Sequence, residues 1–364
     1  MDKIDSSAIR QAFSLAHKIK DPIDLSVGFP EDNTPDNIKE EAIKAIRSNL
    51  TRYTPSNGIK DLREALANKF IKQNNLVTSA DQISILPGAT TGILMIFLAL
   101  LDPGDEIIIP DPFFPPYRDI ALMLGAKPVF IDTAPSFKLT AEQVKRKITK
   151  KTKIIFINTP NNPTGAVYET GELKNIAKLA EEHGIIILSD EIYEHFSYES
   201  EHFSIGSIYK NTLTLNGFSK AYAMTGWRIG YVTGPKEIIN AINELLQYTV
   251  FSTNSISQIA SLAALNCNPK EMTTRYKQKK DFIIKELSPF FEIHGAQGAF
   301  YLFLKVPAQY KDDIEFINEA ITHGLIILPG RAFSQHNSYF RIAFGGPMED
   351  IKKGINIIKE MVNK

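Results

Sequence analysis

The sequence predicts an α/β fold: a large domain with a mostly parallel sheet between layers of helix, plus a smaller α+β domain formed by both chain ends. Three observations predict it. Short runs of nearly unbroken Ile, Val and Leu recur through the middle of the chain, amphipathic stretches separate several of them, and near residue 268 the texture shifts to long charged segments. Strands that are apolar on both faces belong to a sheet covered by helices on both sides, the usual setting of parallel strands.

Each element can be justified in order. The opening MDKIDSSAIRQAF mixes charges of both signs and lacks the apolar centre of a secretory signal. The Pro-rich VGFPEDNTP ends before the next helix, and residues 1–39 are expected to join 268–364 in the smaller domain. Residues 40–267 are expected to form the large one. There LPGATTG (86–92) opens the apolar helix TGILMIFLALL. Strands are expected at DEIIIPD (105–111), KPVFID (127–132), TKIIFIN (152–158), GIIILSD (184–190), TLTLN (212–216) and RIGYVTG (228–234). ELKNIAKLAEEHG (172–184) and KEIINAINELL (236–246) carry helical periodicity. Beyond 268, PKEMTTRYKQKKDFIIKEL reads as a long charged helix. It leads into EIHGAQGAFYLFLKV, then helix, strand and a final helix from Met348.

Composition excludes several function classes. A chain of 364 residues, 43% hydrophobic, can hold one large core and a smaller one. Lysine plus arginine equals aspartate plus glutamate, 41 each, so no basic excess points to nucleic acid. No apolar run reaches the roughly 18 residues of a membrane span. The single cysteine, Cys267, rules out an internal disulfide framework, and its neighbours SLAALNCN favour a buried, inert thiol. A cytoplasmic protein is the simplest expectation. No GxGxxG follows a strand and no GxxxxGK[ST] occurs, which disfavours a nicotinamide enzyme.

In doubly wound sheets, ligands sit beyond the carboxyl ends of the strands. Those positions carry Asp111 to Phe114, NTPNNPTG (158–165), Asp190 to Tyr193, and Asn216 to Lys220. Aromatic, amide, carboxylate, phenol and amine groups would share one rim. The small residues of LPGATTG at a helix start form an anion site, where free N–H groups and the helix dipole favour phosphate. In LNGFSKAYAMTGWRIGY (215–231), Lys220 and Arg228 stand eight residues apart with no acidic neighbour. Together these groups meet the needs of pyridoxal phosphate: a lysine amine, an acid beside the pyridine nitrogen, and groups for the phosphate and ring.

SKAYAMTGWRIGY, PNNPTG and SDEIY in combination resemble the class I/II aminotransferases, pyridoxal-phosphate enzymes of fold type I in the aspartate aminotransferase superfamily. The likeness runs from LSVGFP to YFRIAFG. It implies a seven-stranded type of sheet and no metal. By resemblance Lys220 is the Schiff-base lysine and general base, Asp190 pairs with the pyridine nitrogen, and Tyr193 and Asn162 bind the ring oxygen. Phe114 stacks on the ring, and the Asn162–Pro163 peptide is cis. Arg228, Ser219, Ala89 and Thr90 hold the phosphate. Tyr53, in RYTPSNGIKDLREAL, resembles the tyrosine that reaches a partner's phosphate, which implies a homodimer with shared active sites. Arg341 resembles the arginine that clamps the substrate α-carboxylate, and Gly28 the glycine that approaches substrate as the small domain closes. Gly217 departs from a common pattern, since many relatives have serine there.

The resemblance implies small-molecule partners, an amino acid and a 2-oxo acid. Three readings follow: an aminotransferase, a carbon–sulfur β-lyase on the same scaffold, and a non-catalytic regulator. The third is disfavoured because LSVGFP is reached by residue 25, leaving no room for an N-terminal DNA-binding module. Within the first, a neutral donor, aromatic or large aliphatic, is expected over a dedicated aspartate aminotransferase. Thr90 is no cation, QYTVFSTNSIS (247–257) has none, and Phe29 and Phe251 offer apolar surface. Arg10, Arg118 and Arg331 are the cations that could enter the pocket and reverse this expectation.

Overall fold

The computed structural model describes residues 21–363. The expectations for the first twenty residues, Arg10 among them, lie outside the described residues. Twelve strands occur among those described: β1 (Ile23–Asp24), β2 (Ile83–Leu86), β3 (Glu106–Asp111), β4 (Lys127–Asp132), β5 (Thr152–Asn158), β6 (Ile186–Asp190), β7 (Thr212–Gly217), β8 (Gly230–Thr233), β9 (Tyr301–Lys305), β10 (Leu325–Ile326), β11 (Leu328–Pro329) and β12 (Tyr339–Ala343).

Seven of them form one sheet in the order β2-β8-β7-β6-β5-β3-β4. All pairs are parallel except those of β8, which runs antiparallel to both β2 and β7. Six of the strands coincide with the six apolar runs. The seventh, β2, lies in DQISIL and has only four residues, too short for its own periodicity signal.

The doubly covered sheet explains why these strands are unbroken runs of Ile, Val and Leu. Successive side chains alternate between two cores. Ile107, Ile109, Ile154 and Phe156 enter one, under the helices Ala89–Leu100 and Lys236–Thr249. Ile108, Ile155, Ile157 and Ile187 enter the other, against the helix Thr170–His183. At about 25 cal/mol per Å² of apolar surface removed from water, these two layers supply the main stabilisation of the sheet.

After the charged helix Lys270–Leu287, β9, β12 and β11 form a three-stranded antiparallel sheet. The N-terminal segment docks on this part of the chain. β1 pairs in parallel with β10, and the Ala343 N–H donates to the Leu25 carbonyl at 2.7 Å. Residues after β1 are therefore held over the carboxyl rim of the large sheet. No helix among the described residues is long and apolar enough to cross a membrane.

Cys267 departs from expectation. It is half-buried, on the rim of a polar cleft, and its sulfur accepts from Asn37 Nδ2 at 3.1 Å. Its apolar neighbours sit on a helix whose last turn ends before it, so the apolar face does not extend to the thiol.

Candidate active site

The carboxyl ends of β3, β5, β6 and β7 face the segments 26–28, 328–333 and 341 across a cavity of about 520 Å³. Every residue to which the resemblance gives a cofactor or substrate role lines it except Tyr53: Gly28, Ala89, Thr90, Phe114, Asn162, Asp190, Tyr193, Ser219, Lys220, Arg228 and Arg341. Phe29 and Phe251, expected as apolar walls, are not among the lining residues and stand about half exposed. The apolar wall comes instead from Val27, Leu328 and Phe333. Phe29 misses because its backbone carbonyl packs on Gly345, where a Cβ would come within 2.3 Å, and its side chain turns outward.

Asp190 ends β6 and is buried. Burial pushes its carboxyl up to about 6, against the Ile192 N–H and the Tyr117 hydroxyl, which donate to it at 3.1 and 2.9 Å. Lys220 follows β7 and donates from Nζ to the Gly28 carbonyl at 2.6 Å. Burial, then the charge of Arg341, pull its amine down to about 8, with Asp190 acting the other way. A lysine that shares its protonation state near neutral pH can both take and give a proton.

Arg341 reaches the cavity from the middle of β12. Its Nη1 donates to Asn162 Oδ1 at 3.0 Å and its Nη2 to the Ser26 carbonyl at 2.5 Å. The guanidinium is sandwiched between the rings of Phe333 and Tyr301, 4.4 and 4.6 Å from their centroids. Its Nε is buried with no partner among the described residues. Asn162 is in turn fixed by its N–H, which donates to Asn158 Oδ1 at 2.9 Å, and the Asn162–Pro163 peptide is cis. Tyr193 shares a 2.7 Å hydrogen bond with the Tyr301 hydroxyl. Phe114 precedes the helix Pro115–Met123, its ring edge-on to Tyr117 at 5.5 Å.

The opposite end is built from backbone. Gly88, at φ +92°, turns β2 into the helix Ala89–Leu100, whose N-terminus has no side-chain cap. A Cβ on Gly88 would lie 2.5 Å from Arg228 Nη2, so only glycine lets the guanidinium lie against this turn. Arg228 itself adopts φ +53°, a left-handed conformation costly for its side chain, and donates to the Thr225 carbonyl at 3.0 Å. Gly217 is explained by packing: a Cβ there would come within 3.1 Å of both Ile192 and the Ile229 carbonyl. A serine at 217 would press on Ile229 and Gly230, the residues that follow Arg228.

The fit to pyridoxal phosphate can be tested on charge. Among the lining residues are three cations, Lys220, Arg228 and Arg341, and one anion, Asp190, an excess of 3 − 1 = 2 positive charges. That excess, with the uncapped helix start, suits a phosphate and a carboxylate. The single carboxylate, buried at the end of a central strand, suits a protonated ring nitrogen. The residues fit the group.

Behind β6 lies a separate charged cluster. Glu191, Glu194 and His202 bring ligand-type atoms within 4.8 Å of one another. Lys69 Nζ sits 2.5 Å from Glu194, and the Ser189 and Ser204 hydroxyls donate to Glu191 at 2.9 Å each. Glu194 therefore already has a cationic partner in Lys69.

Tyr117, Tyr301, Phe333 and Ser26 were not singled out from the sequence. Tyr117 stands three residues after Phe114 at a helix start, a spacing that could have found it. Tyr301 and Phe333 acquire their roles only through Arg341, distant in sequence. Tyr53 is 84% exposed, its ring 4.6 Å from that of Phe251.

Comparison with known proteins gives three findings. The family model described as aminotransferase class I and II matches residues 20–358. A probable aspartate aminotransferase of Methanocaldococcus jannaschii is 37% identical over 368 residues, covering 98% of this chain and 97% of the relative. Among solved structures, the aspartate aminotransferase of Thermus thermophilus with maleate superposes with TM-score 0.94 at 35% identity, over 99% of this chain and 97% of that one. The aromatic aminotransferase of Pyrococcus horikoshii gives TM-score 0.90 at 33% identity, over 97% and 98%.

Proposed function

We propose, from the premise that the chain belongs to the aminotransferase class I and II family, that its preferred amino donor is a neutral L-amino acid, aromatic or large aliphatic, with a 2-oxo acid as acceptor. It is a pyridoxal-phosphate-dependent aminotransferase acting on small amino and oxo acids. The cofactor, when bound, supplies a carbonyl carbon to carry the amino group and a ring that draws electrons from the substrate Cα.

The chain's own residues divide the remaining work. Ala89, Thr90, Ser219 and Arg228 hold the phosphate, with Arg228 as the charged fork. Asp190 keeps a proton on the ring nitrogen, and Tyr117 orients that carboxylate through its 2.9 Å hydrogen bond. Tyr193 and Asn162 bind the ring oxygen, and Phe114 packs on the ring. Arg341, already turned by Asn162, Ser26 and its two aromatic neighbours, binds the α-carboxylate. Lys220 attaches the cofactor and moves the Cα proton, its amine near 8 being balanced between both protonation states. Gly28 brings backbone to the substrate as the smaller domain closes on the larger one, which excludes water.

The observation that carries the neutral donor is where the two described cations of the set Arg10, Arg118 and Arg331 go. Arg118 pairs with Asp119 at 2.7 Å and lies over the Phe113 ring, and Arg331 is held by Asp312 and Asp313. Neither lines the cavity. A side-chain carboxylate left unpaired there would cost several kcal/mol. A dicarboxylate donor is the second reading, favoured by the names of the Methanocaldococcus and Thermus relatives. The test is a half-reaction panel: single amino acids are added without an acceptor and loss of the enzyme-bound cofactor absorbance is followed. Neutral amino acids should react best. Aspartate or glutamate outperforming every one of them tenfold, a gap of about 1.4 kcal/mol, would overturn the reading.

The reading includes a homodimer with shared sites. It is supported by Tyr53, Phe251 and Tyr248, large side chains that stand exposed. It also places the protein in the cytoplasm, where a lone thiol such as Cys267 stays reduced.

A further inference from the structure

The hydroxyl of Tyr301 sits where three parts of the site meet. It lies 2.7 Å from the Tyr193 hydroxyl and 3.3 Å from the Gly28 carbonyl, while its ring carries the Arg341 guanidinium at 4.6 Å. Both tyrosines are buried, so each hydroxyl must find its partners within the protein. The backbone is shaped to admit this one oxygen. A Cβ on Gly28 would come within 2.4 Å of it.

A tyrosine has a single proton, and that fixes the direction of the bond. If Tyr193 donates to a ring oxygen of the cofactor, it can only accept from Tyr301. Of the two acceptors within reach of the Tyr301 proton, the Tyr193 oxygen is the nearer, at 2.7 Å against 3.3 Å for the Gly28 carbonyl. A hydroxyl that accepts one hydrogen bond becomes a better donor in the next.

We propose that Tyr301 is a positioning residue for the transamination site, its hydroxyl donating to Tyr193 and so strengthening the hydrogen bond that Tyr193 gives to the cofactor's ring oxygen. This rests on the reading of Tyr193 given above. Because Tyr301 also carries Arg341 on its ring, strand β9 ties the carboxylate-binding arginine to the tyrosine that serves the ring. The side chain that seats the substrate and the one that tunes the ring then share a support.

The test uses the holoenzyme and reads the pH midpoint of the bound cofactor's absorbance, with no turnover involved. Tyr193→Phe removes a donor to a ring oxygen whose deprotonated form it stabilises, so the midpoint should rise by about one pH unit. Tyr301→Phe should raise it by about half as much, and the double variant should match Tyr193→Phe alone. Gly28→Ala, which crowds the Tyr301 oxygen, should raise the midpoint in the wild-type background and leave it unmoved in Tyr301→Phe. A normal midpoint in Tyr301→Phe, or an equal shift from it with and without Tyr193, overturns the proposal and leaves the reading of Tyr193 standing. A normal midpoint in Tyr193→Phe overturns that reading and the proposal with it.

Discussion

Asp190→Asn should make the cofactor-free protein more stable while removing most of its activity. The carboxyl is buried and its pKa is raised from the ordinary 3.8 to about 6. At about 1.36 kcal/mol per pH unit, carrying this charge above pH 6 costs the fold about 3 kcal/mol. The sign follows from the direction of the shift. The folded state binds the proton more tightly than the unfolded chain, so the penalty is absent below 3.8, grows between 3.8 and about 6, and is complete above that. An asparagine carries no charge and can still accept from the Ile192 N–H, now 3.1 Å away. Its weaker contact with the Tyr117 hydroxyl returns about 1 kcal/mol, leaving a gain of about 2 kcal/mol. For 364 residues, at about 2.1 cal/mol/K per residue, that raises Tm by about 2–3 °C. Melting of cofactor-free wild type and variant at several pH values reads this directly. The variant should melt higher at pH 7.5, with the gap closing toward pH 4. With cofactor present the order should reverse, and turnover should fall about a hundredfold or more. A variant that melts at or below wild type at pH 7.5, or a gap that ignores pH, would refute the reasoning.

Three further outcomes are expected. Lys220→Ala should bind cofactor without covalent attachment, and borohydride reduction followed by peptide mass spectrometry should mark Lys220 and no other lysine in the wild type. Mixing inactive Tyr53→Ala and Lys220→Ala chains should restore activity through hybrid dimers; no recovery with hybrids demonstrated would argue for a site built within one chain. At His202, burial lowers the pKa, but the Glu191 carboxylate, 2.9 Å away, and Glu194 together raise it, and the net shift is upward. The stabilisation this gives is present below the ordinary 6.5 and lost as pH rises through the raised value. His202→Gln should therefore lose more Tm at pH 6 than at pH 9, and an equal loss at both would show that the histidine stays neutral.

How much could be read in advance depended on where each signal resides. The central strands were legible because both faces are covered, so burial writes itself into every residue of β3 and β7 and into all of β5 but Lys153. Strand β2 was not, since four residues carry too little pattern to stand out from the helix that follows. The chemistry at the rim was legible for a different reason: Asp190, Asn162, Lys220 and Arg228 sit next to strand ends, so their convergence follows from topology alone. Tyr301 and Phe333 are set by neither. They lie in stretches with no chemical signature, AFYLFL and RAFSQ, and only the folded chain brings them to either side of Arg341. Phe29 shows the reverse error, because adjacency to Gly28 in sequence says nothing of which way the next side chain turns.

The residues that break local rules are among those proposed to carry the chemistry. Asp190 keeps a charge in the core, Arg228 holds a left-handed backbone beside a glycine it cannot do without, and Arg341 leaves Nε buried and unpaired. Each is costly to the fold by itself, on the order of 1–3 kcal/mol. They are affordable because two fully packed cores flank the sheet that holds them, and because the costs fall at the rim, where no core packing is disturbed. Their signs also agree. Two surplus positive charges and unpaired donors all favour an anionic ligand, so binding such a ligand relieves several of these penalties at once. Under the proposed roles, stability lost in the cofactor-free fold thereby becomes affinity for the phosphate at one end and the carboxylate at the other. On this argument the substitutions that most stabilise the cofactor-free chain should be those that most weaken its hold on the cofactor.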